Sequence, residues 1–211
     1  EFRLYQQPAK EDEAEVGVVL TRRFSFVMVV APRPGSPAEK AGLRTGDILK
    51  TIDERHTRPM PAVVADRLLR GAPGASVKLG VLRAGADPFD VTVVRERVLP
   101  VAARGRMLEG GTGVVEVADF TPATAEDVRA QVEALKREGA THMLLDLRGA
   151  AWGAPADGAK VAEIFLQGGP VAKLVDRRKE ERLLQADAAR TAWSGPLAVL
   201  VGNGTSGPGE I

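Results

Sequence analysis

The first half of the chain alternates apolar and polar side chains in short runs that predict a small sheet. Residues 16–30 are rich in β-branched and aromatic types, and they predict two strands joined by a turn near Arg22-Arg23. Residues 60–70 place apolar side chains near helical spacing and predict a helix. The alternating runs 76–83 and 89–98 predict two more strands. This half of the chain therefore predicts a sheet with one short and one longer helix.

The short helix lies in the stretch GSPAEKAGLRTGDILKTID, residues 35–53. Ser36 can cap the N-terminus of that helix, and Glu39 completes the S-x-x-E pattern of a capping box. Gly42 suits the left-handed position at which a helix ends. A strand is predicted directly afterwards, over residues 48–52. The stretch therefore predicts a turn, a one-turn helix, a second turn and a strand.

The second half of the chain alternates strands with amphipathic helices. The predicted strands are 113–118, 142–147, 171–175 and 197–201, and the predicted helices are 124–138 and 156–166. The strands 142–147 and 197–201 are nearly continuous apolar runs, as in a sheet that is buried on both faces. The charged stretch 176–190 predicts a hairpin or a loop. Such βαβα alternation is typical of an α/β domain with parallel strands.

Composition excludes several classes of function. Hydrophobic residues make up 44% and charged residues 27% of the chain, and the net charge of +1 gives no electrostatic footprint for nucleic acid. No apolar run approaches the roughly 18 residues that span a membrane. The chain has no cysteine and two histidines, so disulfides, thiol catalysis and a histidine-based metal site are not expected. We expect no cofactor.

Four stretches, in the same order along the chain, resemble signatures of the C-terminal processing, or tail-specific, serine proteases. They are Gly17–Leu20 for the carboxylate-binding loop, RGAPGASVKL at 70–79, LLDLR at 144–148 with IFL at 164–166, and GPLAVLV at 195–201. The stretch 35–53 also resembles the core of bacterial PDZ domains. The resemblance covers residues 15–211.

The resemblance implies an α/β fold, α+β overall, in three parts. An N-terminal arm at 1–14 precedes a PDZ-type β-sheet domain with two helices at 15–98, and residues 98–106 are expected to be a linker. Residues 99–211 are expected to form a ClpP/crotonase-like α/β peptidase core, which the sequence leaves incomplete at its C-terminus. The PDZ unit, residues 16–98, is expected to fold alone.

The PDZ resemblance implies a groove that adds the C-terminal end of another chain to the sheet as an extra strand. The residues expected to line it are Gly17, Val18, Val19 and Leu20 in the loop and strand, with Val64 and Leu68 on the helix. The implied partners are polypeptides with free C-termini, not nucleic acid, and the chain is expected to contain no integral membrane segment. The resemblance also implies a periplasmic or extracytoplasmic location, with membrane association through an N-terminal segment outside this sequence as one option.

The catalytic signatures match the family less well. The family's nucleophile lies three residues before a glutamate, and alignment on Glu210 puts Gly207 at that position. Ser206 is the nearest hydroxyl and the candidate nucleophile in a shifted register, with Thr205 beside it. A serine needs a neighbouring base for activation, and the position of the family's general-base lysine lies beyond Ile211.

The turn after the LLDLR strand is altered as well. In the family a glycine turn helps to bind the oxyanion, and here only Gly153 matches that turn, while a bulky Trp152 precedes it. Gly153 is therefore the candidate oxyanion residue.

Asp146 and Arg148 share one sheet face, and this spacing predicts a buried structural pair.

Two functions follow from these observations. The first is a tail-specific serine endopeptidase that binds substrate C-termini through its PDZ domain and cleaves by a serine–lysine mechanism. The second is a catalytically inactive pseudopeptidase that acts as a PDZ peptide-binding protein. A triad of Ser206, His142 and Asp146 is a weaker alternative for the chemistry. We expect that the chain as it stands does not hydrolyse peptide bonds at an appreciable rate.

Overall fold

The computed structural model describes residues 13–176 and 178–211, in two compact units. Unit 1 ends at Leu99 and unit 2 begins at Pro100. Most of the predicted N-terminal arm, residues 1–12, lies outside the described residues. The predicted domain boundaries stay predictions about which segments fold alone.

Unit 1 is an antiparallel sheet with two helices. Its strands are β1 (Val18–Arg23), β2 (Phe26–Pro32), β3 (Ile48–Ile52), β4 (Arg55–His56), β5 (Ser76–Leu82) and β6 (Phe89–Val94), and its helices are α1 (Pro37–Lys40) and α2 (Ala62–Leu69). The strand order is β1-β2-β3-β5-β6, with β4 paired to β3, so β1 is an edge strand among the described residues. The predicted sheet with one short and one longer helix is confirmed, although the first turn falls at Phe24 and Ser25.

Helix α1 begins as its capping residues predict. The Ser36 hydroxyl accepts the backbone N–H of Glu39 (3.2 Å) and donates to the carbonyl of Gly17 (3.1 Å). The Glu39 carboxylate accepts the N–H of Gly35 at 2.6 Å, and Gly42 follows the helix at φ +83°. The buried Ser36 side chain therefore ties α1 to the chain in front of β1.

The core of unit 1 is formed by the inward side chains of the sheet and of α2. Its most buried members include Val16, Val27, Val29, Leu49, Ile52, Val64, Leu69, Val77, Leu79, Val81 and Val93. Alternation along β2 and β5 supplies five of these eleven residues, because successive side chains of a strand point to opposite faces.

One arginine is buried against this core. Arg95 donates from Nε to the carbonyl of Leu69 (3.1 Å) and from Nη2 to that of Leu68 (2.9 Å). Its Nη1 donates to the carbonyl of Ser76 at 2.9 Å. Because the last carbonyls of a helix lack partners within the helix, Arg95 satisfies the C-terminal end of α2 and fixes its position.

Unit 2 contains a second sheet with helices and two small strand pairs. Its elements are β7 (Arg104–Leu108), β8 (Thr112–Glu116), β9 (Asp119–Phe120), α3 (Thr124–Arg137), β10 (His142–Asp146), β11 (Trp152–Gly153), α4 (Pro155–Ala162), β12 (Gly169–Val175), β13 (Glu181–Ala186) and β14 (Leu197–Leu200). The sheet order is β14-β10-β8-β7, in which β8, β10 and β14 run parallel and β7 is antiparallel. The predicted α/β alternation with parallel strands is confirmed.

Two sequence predictions about residues 98–106 and 176–190 have clear outcomes. The stretch 176–190 contributes a strand to the hairpin β12–β13, one of its two predicted forms. The linker predicted at 98–106 was wrong at its end, because β7 begins at Arg104. Exposed arginines alternate with Gly105 and Met107 there, and such a pattern carries little apolar signal.

The prediction that 197–201 is buried on both faces was also wrong. Strand β14 is an edge of the sheet among the described residues, and the exposed fractions of Leu197, Val199 and Val201 are 38%, 47% and 64%. An apolar run identifies the strand but does not say how many neighbours cover it. Within the described ranges, no helix combines the length and the apolar character that crossing a bilayer requires.

Candidate peptide-binding groove and peptidase site

The first candidate site is the space between β1 and α2. Gly17 and Val18, at the start of β1, lie beside Asp66 and Leu69 of α2. Gly17 has φ +77°, and a Cβ at this position would lie 2.4 Å from Cβ of Ser36. Only glycine therefore allows the chain to turn into β1 so close to the cap of α1.

The loop in front of β1 has its carbonyls bonded and two of its amides free. The carbonyl of Val16 accepts the N–H of Ala38 (2.9 Å), and the carbonyl of Gly17 accepts that of Arg33 (2.9 Å) and the Ser36 hydroxyl. The N–H groups of Val16 and Gly17 make no hydrogen bond to any residue in the described ranges. Because buried backbone donors are costly to leave unpaired, these two amides suit an external acceptor such as a carboxylate.

Ion pairs hold this loop against α2. Arg70 pairs with Glu15 (3.0 Å) and with Asp66 (3.0 Å), and Arg67 pairs with Glu13 (2.8 Å). Burial opposes the charge of Arg70, but the hydrogen bond with Asp66 and the neighbouring carboxylates outweigh it and raise the pKa of Arg70. Backbone bonds between Ala14 and Gly71 and between Glu15 and Glu96 add to this frame. The start of the described chain is thus fixed beside the groove.

The predicted groove residues lie in different environments. Gly17 lies in the loop, and Val18, Val19 and Leu20 follow it in β1. Val64 is only 4% exposed and belongs to the core, and Leu68 is half-buried against the core. The residue next to the loop that sequence reasoning missed is Asp66. Its position three residues before the buried Leu69 could have revealed it, because such residues share a helix face.

The second candidate site is the turn that follows β14. The Thr205 hydroxyl has a structural role, since it donates to the carbonyl of Leu147 (2.7 Å) and accepts the N–H of Gly202 (2.9 Å). These two bonds join the end of β10 to the turn after β14. A hydroxyl that is held in this way is poorly placed to act as a nucleophile.

Ser206 lies in an extended conformation beside the turn after β10. Its N–H donates to the carbonyl of Ala150 (2.9 Å), and its half-buried hydroxyl makes no hydrogen bond to residues in the described ranges. His142 is at the opposite end of β10 from Asp146 and contacts Thr141 through Nδ1 (2.9 Å). The alternative triad of Ser206, His142 and Asp146 is therefore not assembled.

Gly207 begins the turn that the family alignment assigns to the nucleophile. Its φ is +57°, and a Cβ built on it would meet no atom within 4 Å. Its N–H donates to Oε2 of Glu210 at 2.8 Å. A serine side chain would therefore have space at this position, but the positive φ is strained for any residue other than glycine. The Gly207 N–H is already hydrogen-bonded to the Glu210 carboxylate.

Gly153 is fixed by its neighbour in the strand pair β9–β11. Its φ is +120°, and a Cβ would lie 1.9 Å from the carbonyl oxygen of Phe120. Gly158 and Gly209 allow similarly close approaches, to the carbonyls of Pro208 (2.3 Å) and Ala150 (2.5 Å). The turn after β10 and the turn after β14 are thus packed backbone against backbone. The oxyanion role of Gly153 stays a prediction.

Asp146 and Arg148 form the predicted pair after β10. Arg148 donates from Nη2 (2.6 Å) and Nε (2.9 Å) to the carboxylate, and its backbone N–H adds a bond of 3.1 Å. The hydrogen bonds from Arg148 hold the pKa of Asp146 below its usual range, against the opposing effect of burial. The exposed fractions of the two side chains are 10% for Asp146 and 63% for Arg148, so only the carboxylate is buried. The pair orders the turn and leaves the carboxylate ionised.

An apolar cavity of about 570 Å³ adjoins the same turn. Val199 and Val201 form one wall, Val161 and Phe165 form another, and the Glu210 carboxylate lies at its border. Neither Ser206 nor Gly207 lines this cavity.

Two family models match the chain. Residues 111–211 match the model of Peptidase family S41, and residues 28–83 match the model of a PDZ domain. The chain is 27% identical over 197 residues to the carboxy-terminal processing protease CtpA of Bacillus subtilis. It is 31% identical over 194 residues to the chloroplastic carboxyl-terminal-processing peptidase 2 of Arabidopsis thaliana.

These alignments cover most of this chain and less than half of each relative. They include 93% and 88% of this chain, against 42% and 38% of the two proteins. The fold also matches the solved structure of the photosystem II D1 C-terminal processing protease with a TM-score of 0.85 at 25% identity. That match covers 96% of this chain and 57% of the other. The chain therefore spans about two fifths of the length of its curated relatives.

Proposed function

Since this chain belongs to the family of carboxy-terminal processing proteases, in which a PDZ domain accompanies an S41 peptidase core, we propose that it captures polypeptides by their free C-terminal ends. One observation carries the proposal. The amides of Val16 and Gly17, which bond to no residue in the described ranges, lie where β1 begins, beside α2, and β1 is an edge strand among those residues. A terminal carboxylate would accept from those amides, and the preceding residues would add to β1 as a strand.

Peptide binding tests this proposal directly. A labelled peptide with apolar last residues should bind, and the same peptide with a C-terminal amide should bind at least about tenfold more weakly, because hydrogen bonds to a charged group are lost. Gly17→Ala should abolish the difference, since its Cβ would collide with Ser36. Gly85→Ala is the matched control, because Gly85 also has a positive φ (+75°) but open space around its Cβ. Equal affinity of the acid and the amide for the unaltered protein would refute carboxylate capture.

For the peptidase core, we propose serine-type cleavage of the captured tail, with Ser206 as the candidate nucleophile. The family relation supports this reaction. In it, the hydroxyl oxygen would attack the scissile carbonyl carbon, the C–N bond would break, and a base would pass the serine proton to the leaving amine. The Ser206 hydroxyl, which makes no hydrogen bond to residues in the described ranges, is the group that such a base would have to reach.

Capture without cleavage is a second candidate, and particular contacts favour it. Gly207 carries no hydroxyl, its amide is bonded to Glu210, and the Thr205 hydroxyl is committed to structure. Mass spectrometry of tailed peptides incubated with the protein separates the two candidates. Products that disappear in Ser206→Ala, a loss of about 10⁴-fold or more, would support cleavage. Absence of products from both proteins, while peptide still binds, would support capture alone.

A further inference from the structure

The turn between β1 and β2 carries an exposed aromatic side chain, Phe24, in a backbone conformation that is unfavourable for it. Phe24 and Ser25 have φ of +50° and +67°, and the Phe24 side chain is 83% exposed. Bulky residues are rare at positive φ, where glycine or asparagine is usual. A costly conformation combined with an exposed aromatic ring indicates a role in contact with another molecule.

Three arginines lie at or beside this turn, and one of them, Arg23, contacts the Phe24 ring. Arg22 donates from Nη2 to the carbonyl of Arg58 (3.2 Å), and the guanidinium carbon of Arg23 lies 5.4 Å from the ring centre of Phe24. The guanidinium carbon of Arg58 lies 5.9 Å from the ring centre of Phe26. We call Arg22, Arg23, Phe24 and Arg58 the tip cluster. All four of its members are exposed.

The charge of the tip cluster is uncompensated. Across the described ranges, none of its arginines forms an ion pair with a carboxylate. Other arginines of unit 1 are paired, such as Arg67 with Glu13, Arg70 with Glu15, and Arg83 with Asp47. The cluster is therefore a local patch of positive charge on a chain whose net charge is only +1.

The cluster lies at the far end of the proposed groove. A carboxylate held at the start of β1 fixes the direction of a bound tail: it pairs antiparallel to β1, so the residues before its C-terminus extend back toward Arg23. At about 3.4 Å per residue, the six residues of β1 bring the tail to the tip cluster about five to eight residues before its end.

We propose that the tip cluster selects polypeptide tails that carry aspartate or glutamate at those upstream positions. The inference rests on the proposed capture of C-terminal ends and names the class of tail that is preferred. Arg23 and Arg58 supply the complementary charge, and the exposed ring of Phe24 packs on the arriving backbone. Exposed charges of this kind favour encounter and discriminate between partners more than they add affinity.

Fluorescence anisotropy with matched peptides tests the proposal. The peptides share the same apolar C-terminal residues, and the four positions upstream carry either acidic residues or the corresponding amides. The acidic peptide should bind about three- to tenfold more tightly at low salt, as expected for a few exposed ion pairs. The preference should shrink as salt rises, because exposed charges are screened.

Two charge-removing variants make the test specific. Arg23→Gln with Arg58→Gln should bring the ratio of the two affinities to about one, and it keeps the bond from Arg22 to the Arg58 carbonyl. Arg44→Gln with Arg104→Gln removes the same charge from exposed positions elsewhere and should keep the ratio. Circular dichroism shows whether each variant is folded.

The outcomes separate this inference from the proposed function. If peptides with a free carboxylate and with an amide bind alike, capture of chain ends fails. If the carboxylate is required but acidic and neutral tails bind equally, only the role of the tip cluster is overturned. Binding to phosphatidylserine vesicles that is lost in the Arg23/Arg58 variant, without any peptide preference, would also overturn it and indicate a membrane surface instead.

Discussion

Unit 1 and unit 2 both carry a candidate functional turn built on glycine, but the two turns differ in the groups that they expose. In unit 1, Gly17 leaves backbone amides unbonded beside a free strand edge. In unit 2, the amide of Gly207 is bonded to Glu210, and the position lacks a hydroxyl. Recognition by main-chain groups needs only the correct backbone, whereas nucleophilic catalysis needs a particular side chain.

The largest expected effect is on the scaffold of unit 2. Gly153→Ala should destabilise unit 2 by about 3 kcal/mol or more, because its Cβ would lie 1.9 Å from the Phe120 carbonyl at φ +120°. Thermal unfolding followed by circular dichroism measures the loss. Gly149→Ala is the control, since Gly149 has open space around it and no positive φ. A stable Gly153→Ala protein would contradict the close approach of Gly153 to the Phe120 carbonyl.

In unit 1 the buried arginine should matter next. Arg95→Met should cost about 2 kcal/mol, because the carbonyls of Leu68, Leu69 and Ser76 lose their donor and that of Leu69 is buried. Denaturant unfolding gives the value, and peptide affinity should fall as α2 loosens. The exposed Arg44→Met should change neither quantity. An unchanged unfolding midpoint for Arg95→Met would show that α2 is fixed by its apolar face alone.

A smaller effect is expected at the cap in front of β1. Ser36→Ala should lower stability by about 1 kcal/mol, since it removes the helix cap and the bond to the Gly17 carbonyl. Because that bond holds the amide-bearing loop, peptide affinity should fall as well. Thr45→Ala, at an exposed turn position, is the comparison. Loss of stability without loss of affinity would separate the cap from the groove.

In unit 2 the Asp146 pair predicts a pH-dependent contribution. The pKa of Asp146 is lowered in the folded state, so its stabilisation is present above the unfolded pKa of about 4 and is lost as the pH falls through the folded value. Asp146→Asn should therefore cost on the order of 1 kcal/mol near neutral pH and nothing in strong acid. Unfolding at a series of pH values tests the sign. A constant difference across the series would exclude this linkage.

The smallest effect is expected when unit 1 is separated from unit 2. A fragment of residues 13–99 should keep dispersed amide resonances, because its core and edge bonds are internal. The shorter fragment 16–98 should be less stable, since it lacks the backbone bonds of Ala14 and Glu15 and the Glu13–Arg67 pair. Collapsed dispersion for residues 13–99 would show that unit 1 depends on the rest of the chain.

The sequence predicted most of the fold because local signals there agreed with long-range packing. The Ser36 cap, the Gly42 stop and the alternation in β5 each follow from residue type and spacing. Strand β7 was missed because alternating arginines at Arg104 and Arg106 carry no apolar periodicity. The exposure of β14 depends on how many strands flank it, which residue types alone do not determine.

Less of the candidate sites could be predicted. Alignment identified Gly17 and Gly207, but it could not show that one amide is unbonded and the other is bonded to Glu210. These differences arise from contacts between distant segments, such as Ser206 with Ala150. Arg23 and Phe24 gave no functional signal in the sequence. The role proposed for them depends on their position at the end of the edge strand β1, which only the structure shows.

The exposure of β14 also has a consequence for how unit 2 behaves in solution. Its run LAVLV contains no charged residue, and only Pro196 before it and Gly202 after it interrupt strand formation. An uncharged, apolar sheet edge is a template for pairing with another copy, and natural proteins usually block such edges with a lysine or a bulge. Unit 2 on its own, in which this edge is open among the described residues, should therefore self-associate more as its concentration rises, and Val199→Lys would act as the missing gatekeeper.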